Sequence, residues 1–284
     1  MGISAKIIED SISPEGKRLS TIECVLPKVY LAELNTHRQI SKNARSTRAV
    51  PTSKLIEEVR TNPYIPIKWL KNQSGMQGGA EFDIEAQVEL VEFWLDAADN
   101  AADSAELLFH HGLHKQHAGR VIEPFVWANV LLTSTDWNNF LALRDHPDAQ
   151  PEMQVLAQAI RACLLGSIPR PLEPGQWHLP YTLPEERESL SVSLLQRLSV
   201  ARCARVSYTP FDGNASVEKE LERYDLLVGS QPIHASPTEH QGTPDSVAFR
   251  KTKGEPIYTS PELHRNFIGW VQYRALIPGE CVHG

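Results

Sequence analysis

His37-Arg38-Gln39-Ile40-Ser41-Lys42-Asn43-Ala44-Arg45-Ser46-Thr47-Arg48 is the densest polar constellation in the chain, and it follows an apolar, strand-like stretch. So many donors in so short a segment suit a bound ligand. The same composition also suits a solvated basic loop or a patch for RNA, and the residues alone leave these readings open.

Upstream, Ala5 to Leu34 alternates as strands do. Ile7 and Ile8 precede a turn at Ser13-Pro14-Glu15-Gly16, and Ile22-Glu23-Cys24-Val25-Leu26 follows, which predicts a hairpin. Downstream, Val50-Pro51-Thr52 offers Thr52 as the N-cap of a short helix through Leu55, Ile56 and Val59, stopped at Asn62-Pro63. From Asp83 to His111 apolar residues recur at three- and four-residue spacing, predicting a long amphipathic helix with Gly112 as its stop. Pro151 to Leu165, Leu190 to Val200 and Glu218 to Val228 carry the same signal, the last ending at Gly229. Between the first two lies a proline-rich stretch, Pro169 to Pro184, which reads as linkage. The tail from Thr243 is weakly periodic apart from Phe267 to Tyr273. Strands that lead into helices make this an α+β protein, read as one domain over 1–284 because the chemical motifs lie on both sides of the proline-rich stretch.

The 284 residues are 41% hydrophobic and 22% charged, enough to bury a full core. A formal net charge of -7 opposes a protein that coats nucleic acid through a broad basic face. The N-terminus lacks the apolar run of a signal peptide, and no stretch approaches the roughly 20 apolar residues that span a bilayer. Cytoplasmic location, with no membrane and no nucleic-acid partner, is the expectation. Cys24, Cys163, Cys203 and Cys281 are too scattered for a zinc site or a disulfide scaffold and read as reduced, mostly buried side chains.

With His37, Arg38, Ser41, Asn43, Ser46 and Arg48 at these intervals, the opening run resembles the R-H-R-x-x-S-x-N-x-x-S-x-R signature of flavin-dependent thymidylate synthases, Thr36 replacing the first Arg. Arg120-Val121-Ile122-Glu123-Pro124 resembles the family's A-R-x-x-L-P, with Glu123 where Leu is usual. Asn139 to Arg144, then Ala149-Gln150-Pro151-Glu152, resembles N-F-L-x-L-R followed by H-A-Q-x-E, with Asp148 replacing the His. Two segments that normally come first come last here: Ala204-Arg205-Val206-Ser207-Tyr208 is similar to A-R-V-S-F/Y, and His234 to His240 is similar to G-H-x-x-P-F-E-H. The order is therefore read as circularly permuted, which a fold tolerates when its termini lie at the surface.

The resemblance implies a central twisted sheet with long helices and a one-carbon transfer to C5 of a pyrimidine deoxynucleoside monophosphate, dUMP to dTMP. It implies FAD, methylenetetrahydrofolate as carbon donor, NADPH as reductant and a homo-oligomer, usually a tetramer. Carbon 5 is a poor nucleophile until negative charge spreads into the ring. Arg144, at the position of the family's ring-contacting Arg, is the catalytic candidate because its help grows as that charge develops. Substrate contacts fall on Ser46, Arg48, Arg120 and Arg144, with Arg48 and Arg120 as forked phosphate donors. FAD contacts fall on His37, Arg38, Asn43, Asn139, Ser207 and His234, and Trp270 and Tyr273 either close the permuted core or line the folate site. Departures at Thr36, Ala44, Glu33, Thr133 and Thr135 suggest an altered substrate or outcome, such as 5-hydroxymethylation of dCMP or dUMP, with Glu33 accepting from a cytosine amino group.

Two rivals come from other classes. His110, His111, His114 and His117 suggest a metal-dependent hydrolase, although no His-Glu-x-x-His carboxylate accompanies them. A nucleic-acid module on Thr36 to Lys54 lacks the interleaved aromatics that stacking uses.

Overall fold

The hairpin is longer than its turn signals alone suggest. In a computed structural model describing residues 2–206, 216–252 and 254–280, β1 (Ser4–Ile12) and β2 (Arg18–Pro27) pair antiparallel. Gly16 supplies a left-handed φ of 69° at the turn. The chain then forms α1 (Leu31–Asn35), β3 (Ser41–Ala44) and α2 (Thr52–Thr61). Thr52 begins that helix as its first residue rather than as its cap. Pro51 holds the cap position, and the buried Thr52 hydroxyl has no hydrogen-bond partner. The long helix α3 (Ile84–His110) matches expectation: Asp83 accepts from Ala86 N, and Gly112 ends the run at φ 79°.

After α4 (Lys115–Ala118) come β4 (Trp127–Ser134), α5 (Asn138–Arg144) and α6 (Pro151–Gly166). The proline-rich stretch packs into the fold. Its β5 (Arg170–Pro171) pairs parallel with β1, and Leu172, Leu179 and Tyr181 are buried. Then follow α7 (Pro184–Ser189), α8 (Val192–Arg205), α9 (Val217–Val228), β6 (Gly242–Pro244), β7 (Val247–Arg250), β8 (Pro256–Tyr258) and β9 (Trp270–Gln272).

The main sheet has the order β3-β4-β2-β1-β5. Alternation assigns each strand residue a face. Ile22, Cys24, Leu26, Val130 and Leu132 bury against Met153, Leu156 and Ile160 of α6. On the opposite face Leu131 packs with Tyr181, Cys203 and Val206, so α8 covers that side. The same face carries a buried polar chain. Ser11 and Thr21 flank the His178 ring at 2.9 and 2.8 Å, Thr21 meets Thr133 at 2.7 Å, and Thr133 meets His240 Nδ1 at 2.8 Å. This chain ties the later part of the protein to the sheet, where a buried hydroxyl or imidazole left unpaired would be costly.

Trp270 is fully buried with Leu19, Leu172 and Phe267 and donates from Nε1 to Lys17 O, so it closes the core. Tyr273 shares a hydrogen bond with the Tyr224 hydroxyl at 2.9 Å. Gln150 and Glu152 serve the fold: Glu152, buried, accepts from the Tyr64 hydroxyl at 2.6 Å and from Gln150 at 2.8 Å. Among the described residues no helix is long and apolar enough to cross a membrane.

Candidate active site

Because β3 is an edge strand beside β4, the polar run that contains it presents side chains to two cavities. The larger, about 570 Å³, lies between the segment Asn43–Pro51, the end of α8, α9 and the stretch His234–Pro237. Arg45, Arg205, Arg223 and His234 give it a basic wall, while Val50 and Leu227 give it an apolar one. Asn43 buckles its parts together. Its Nδ2 donates to Cys203 O at 2.7 Å, and its Oδ1 accepts from Ser236 at 3.1 Å. Both functions of that amide are engaged within the fold, so its role at this cavity is to hold the walls in register.

Two arginines of that wall share one carboxylate. Arg205 and Arg223 reach opposite oxygens of Glu220 at 2.9 and 2.7 Å, and the Glu220 side chain is 0% exposed. At the neighbouring helix end, Val206 takes a left-handed φ of 54°, a conformation that costs an L residue roughly 1–2 kcal/mol. Strain of this kind collects where a chain must aim side chains at a ligand. Ser207, the next residue, lies outside the described residues.

The smaller cavity, about 420 Å³, is lined by Thr36, His37, Arg38, Asn139, Phe140 and Arg144 among others. Arg144, at the last position of α5, donates Nε to His37 Nε2 at 2.9 Å and Nη1 to Glu33 at 2.8 Å. It does not pair with Asp145, which holds Arg161 instead. Burial, with the positive charges of Arg144 and Lys42 beside it, pushes the His37 pKa down to about 4. The imidazole is thus neutral and accepts from Arg144. Glu33, which sequence reasoning offered to a cytosine amino group, spends a carboxylate oxygen on Arg144.

Arg48 and Arg120 line neither cavity. Arg120, with a side chain 59% exposed, forks onto Glu123 at 2.9 Å through each oxygen. Thr47, beside the exposed Arg48, donates to the same carboxylate at 3.0 Å, which ties the segment carrying Arg48 to the residue that holds Arg120. Within one protomer the predicted residues therefore fall into separate places. Asn43, Ser46 and His234 border the larger cavity, His37, Arg38, Asn139 and Arg144 the smaller, and Arg48 and Arg120 lie outside both.

The histidines behind the metal reading do not converge. Gly112 breaks the helix after His111, and His114 caps α4 by accepting from Gln116 N. Among the described residues no group of three His, Cys, Asp or Glu is placed to hold a metal ion.

The sequence profile of the thymidylate synthase complementing protein family matches residues 19–170, more than half of the 284-residue chain. The chain belongs to that family. Members of the thymidylate synthase complementing protein family are nucleotide methyltransferases, and this chain is an enzyme. No curated protein matches the chain. Among solved structures, the UMP/dUMP methylase PolB from Streptomyces cacaoi bound with 5-Br UMP is similar at 17% identity over 57% of this chain and 88% of that one, TM-score 0.48. The flavin-dependent thymidylate synthase ThyX from Helicobacter pylori, complexed with FAD and dUMP, is similar at 21% identity over 51% of this chain and 67% of that one, TM-score 0.35.

The matched stretch of the family ends at β5, so Arg205, Glu220, Arg223 and His234 lie beyond it. Sequence reasoning quoted Arg205 within a motif but gave it no part. Glu220 and Arg223 stand three apart on one face of α9, a spacing that signals an ion pair and nothing of the cavity it borders.

Proposed function

We propose that this enzyme transfers a one-carbon unit from methylenetetrahydrofolate to C5 of dUMP, using FAD and a nicotinamide reductant, NADPH. The observation that carries this reading is Arg144. Its guanidinium is held by neutral His37 and by Glu33 at the floor of a cavity that Arg38 and Asn139 also line. Two fixed anchors hold the cation where charge would develop on a pyrimidine ring, which favours the transition state over the bound substrate.

The donor sets fit the groups the reaction needs. Both cavities fall within the range of about 300–1,000 Å³ usual for small-molecule sites. Arg45, Arg205 and His234 would meet a pyrophosphate, Val50 and Leu227 would flank a planar ring, and His37, Arg38 and Asn139 would meet the flavin from the other cavity. Ser207, which lies outside the described residues, would join them by its motif alone. When bound, the flavin supplies hydride transfer and the folate the carbon. Arg48 and Arg120 would fork onto the 5′-phosphate, and Ser46 would add a hydroxyl. Because Arg48 and Arg120 do not line the cavity of Arg144, we infer that a second copy of the chain completes each site, as in the tetramers the resemblance implies. The late segments Ala204–Tyr208 and His234–His240 would fill places that other members fill from the start of their chains.

A second reading, 5-hydroxymethylation of dCMP or dUMP, is favoured by Glu33, a carboxylate within reach of the ring that Arg144 would touch. One experiment tests both: purified protein with FAD, a reductant, methylenetetrahydrofolate and either dUMP or dCMP, the product read by mass. A methyl product from dUMP supports the first reading and a hydroxymethyl product the second. No product from either nucleotide overturns both.

A further inference from the structure

A third cavity, about 430 Å³, adjoins the smaller of the two above and shares Arg38 and Ile40 with it. Its other walls come from Glu239, Arg265, Asn266, Gln272, Arg274 and Glu280, all beyond the stretch that matches the family. The tail thus adds a chamber to the flavin-side cavity.

A carboxylate already sits between two guanidinium groups there. Arg274 Nε donates to Glu280 Oε2 at 3.0 Å, and Arg265 donates to Oε1 of the same group, whose side chain is only 10% exposed. Arg274 also pairs with Glu239. Arg38 stands at the junction of the two cavities, exposed and without an ion-pair partner among the described residues. Three cations therefore face two carboxylates. An incoming carboxylate can take the place of Glu280 without leaving Arg265 or Arg274 unpaired, and Arg38 at the junction adds a third positive charge to draw it in.

The framework behind these arginines is rigid. Asn266 donates to Gln39 O at 3.1 Å and to Ser41 at 3.0 Å, and Gln272 donates to Asn266 at 2.8 Å, which locks the Arg265 loop onto the strand-forming run. Arg265 holds a left-handed φ of 55°. A backbone cost of that kind, in a non-glycine residue with an exposed charged side chain, fits a residue whose aim matters.

We propose that this chamber is a carboxylate subsite that takes the glutamyl end of the folate while the pterin end lies in the adjoining cavity, with Glu280 occupying the subsite until the ligand displaces it. The proposal rests on the folate reading given above. It is tested by binding rather than turnover, comparing tetrahydrofolate with tetrahydropteroate capped as its methylamide, which lacks the glutamyl group and carries no carboxylate, by calorimetry on the FAD-loaded protein.

The wild-type protein is expected to bind tetrahydrofolate about tenfold or more tightly than the methylamide, the scale of one charge-assisted contact. Arg265→Gln/Arg274→Gln should erase that difference and leave methylamide affinity unchanged. Arg265→Gln alone, at a side chain 40% exposed, should reduce it about threefold and serves if the double variant does not fold. Glu280→Gln should tighten tetrahydrofolate only. Equal wild-type affinity for the two compounds, or a double variant that weakens both alike, overturns the subsite and leaves the folate reading intact. Binding of neither compound overturns both.

Discussion

Arg144 and His37 are joined through Nε and Nε2 at 2.9 Å, an arginine donating to an imidazole that burial and nearby cations keep neutral. This contact and the Glu33 ion pair orient the guanidinium before any ligand arrives. Arg144→Gln is therefore expected to lower kcat by about 10²–10³, the loss typical of a preorganised donor aimed at developing charge. Arg144→Lys should rescue little, because a point charge cannot fork to His37, Glu33 and a ring carbonyl together. Single-turnover kinetics measure this, and near wild-type turnover in the Lys variant would sink the assignment.

Arg48 and Arg120 should behave differently. Arg120 pairs with Glu123, Arg48 is exposed, and neither lines either of the two cavities of its own protomer. Replacing either with Ala is expected to raise the nucleotide KM about tenfold or more while kcat changes little, as loss of uniform binding does. The same variants should bind the nucleoside, which lacks the phosphate, as tightly as the wild type. An equal loss for nucleoside and nucleotide would remove the phosphate role.

The run His37–Arg48 and the motif at Arg144 stood out because a family motif fixes residue types at set intervals. Helices α3, α6 and α9 were legible because burial imposes a period. Strand β5 was not. Arg170 and Pro171 are both exposed, and only their place beside β1 makes them strand. The split of the predicted site between two cavities and positions outside both was equally hidden, since spacing along the chain does not record which surface a side chain reaches once the elements pack. The Arg205–Glu220–Arg223 cluster was missed because Glu220 and Arg223 read as an ordinary helical pair until α8 is packed against α9.

That cluster gives a stability prediction. Glu220 is a fully buried carboxylate serving two guanidinium groups, and removing it leaves Arg205 and Arg223 facing each other across the vacated space. Glu220→Ala is expected to destabilise by about 3–5 kcal/mol, the usual result of breaking a buried ion pair from one side. Urea unfolding of the apo protein reads this directly. A loss under about 1 kcal/mol, the range of exposed pairs, would mean that water reaches the cluster.

Acid should unfold this protein through its buried imidazoles. Burial holds His178 at about 4 and His240 at about 3, below the ordinary histidine value of 6.5. The unfolded chain therefore binds more protons between pH 6.5 and those values, and stability rises with pH across that window. Read downward, stability is intact above 6.5, falls as pH drops toward 4, and for His178 loses nothing more below that. At roughly 1.4 kcal/mol per pH unit, His178 alone accounts for about 3 kcal/mol. The geometry explains the penalty: the ring lies between the Ser11 and Thr21 hydroxyls, and Thr21 continues through Thr133 to His240. A second proton on His178 would make both ring nitrogens donors and oblige both flanking hydroxyls to accept. His178→Gln keeps a donor and an acceptor but cannot take that proton, so it should lower the urea midpoint at pH 7.5 and flatten its fall between pH 6.5 and 4. An unchanged slope in the variant would place the acid sensitivity elsewhere.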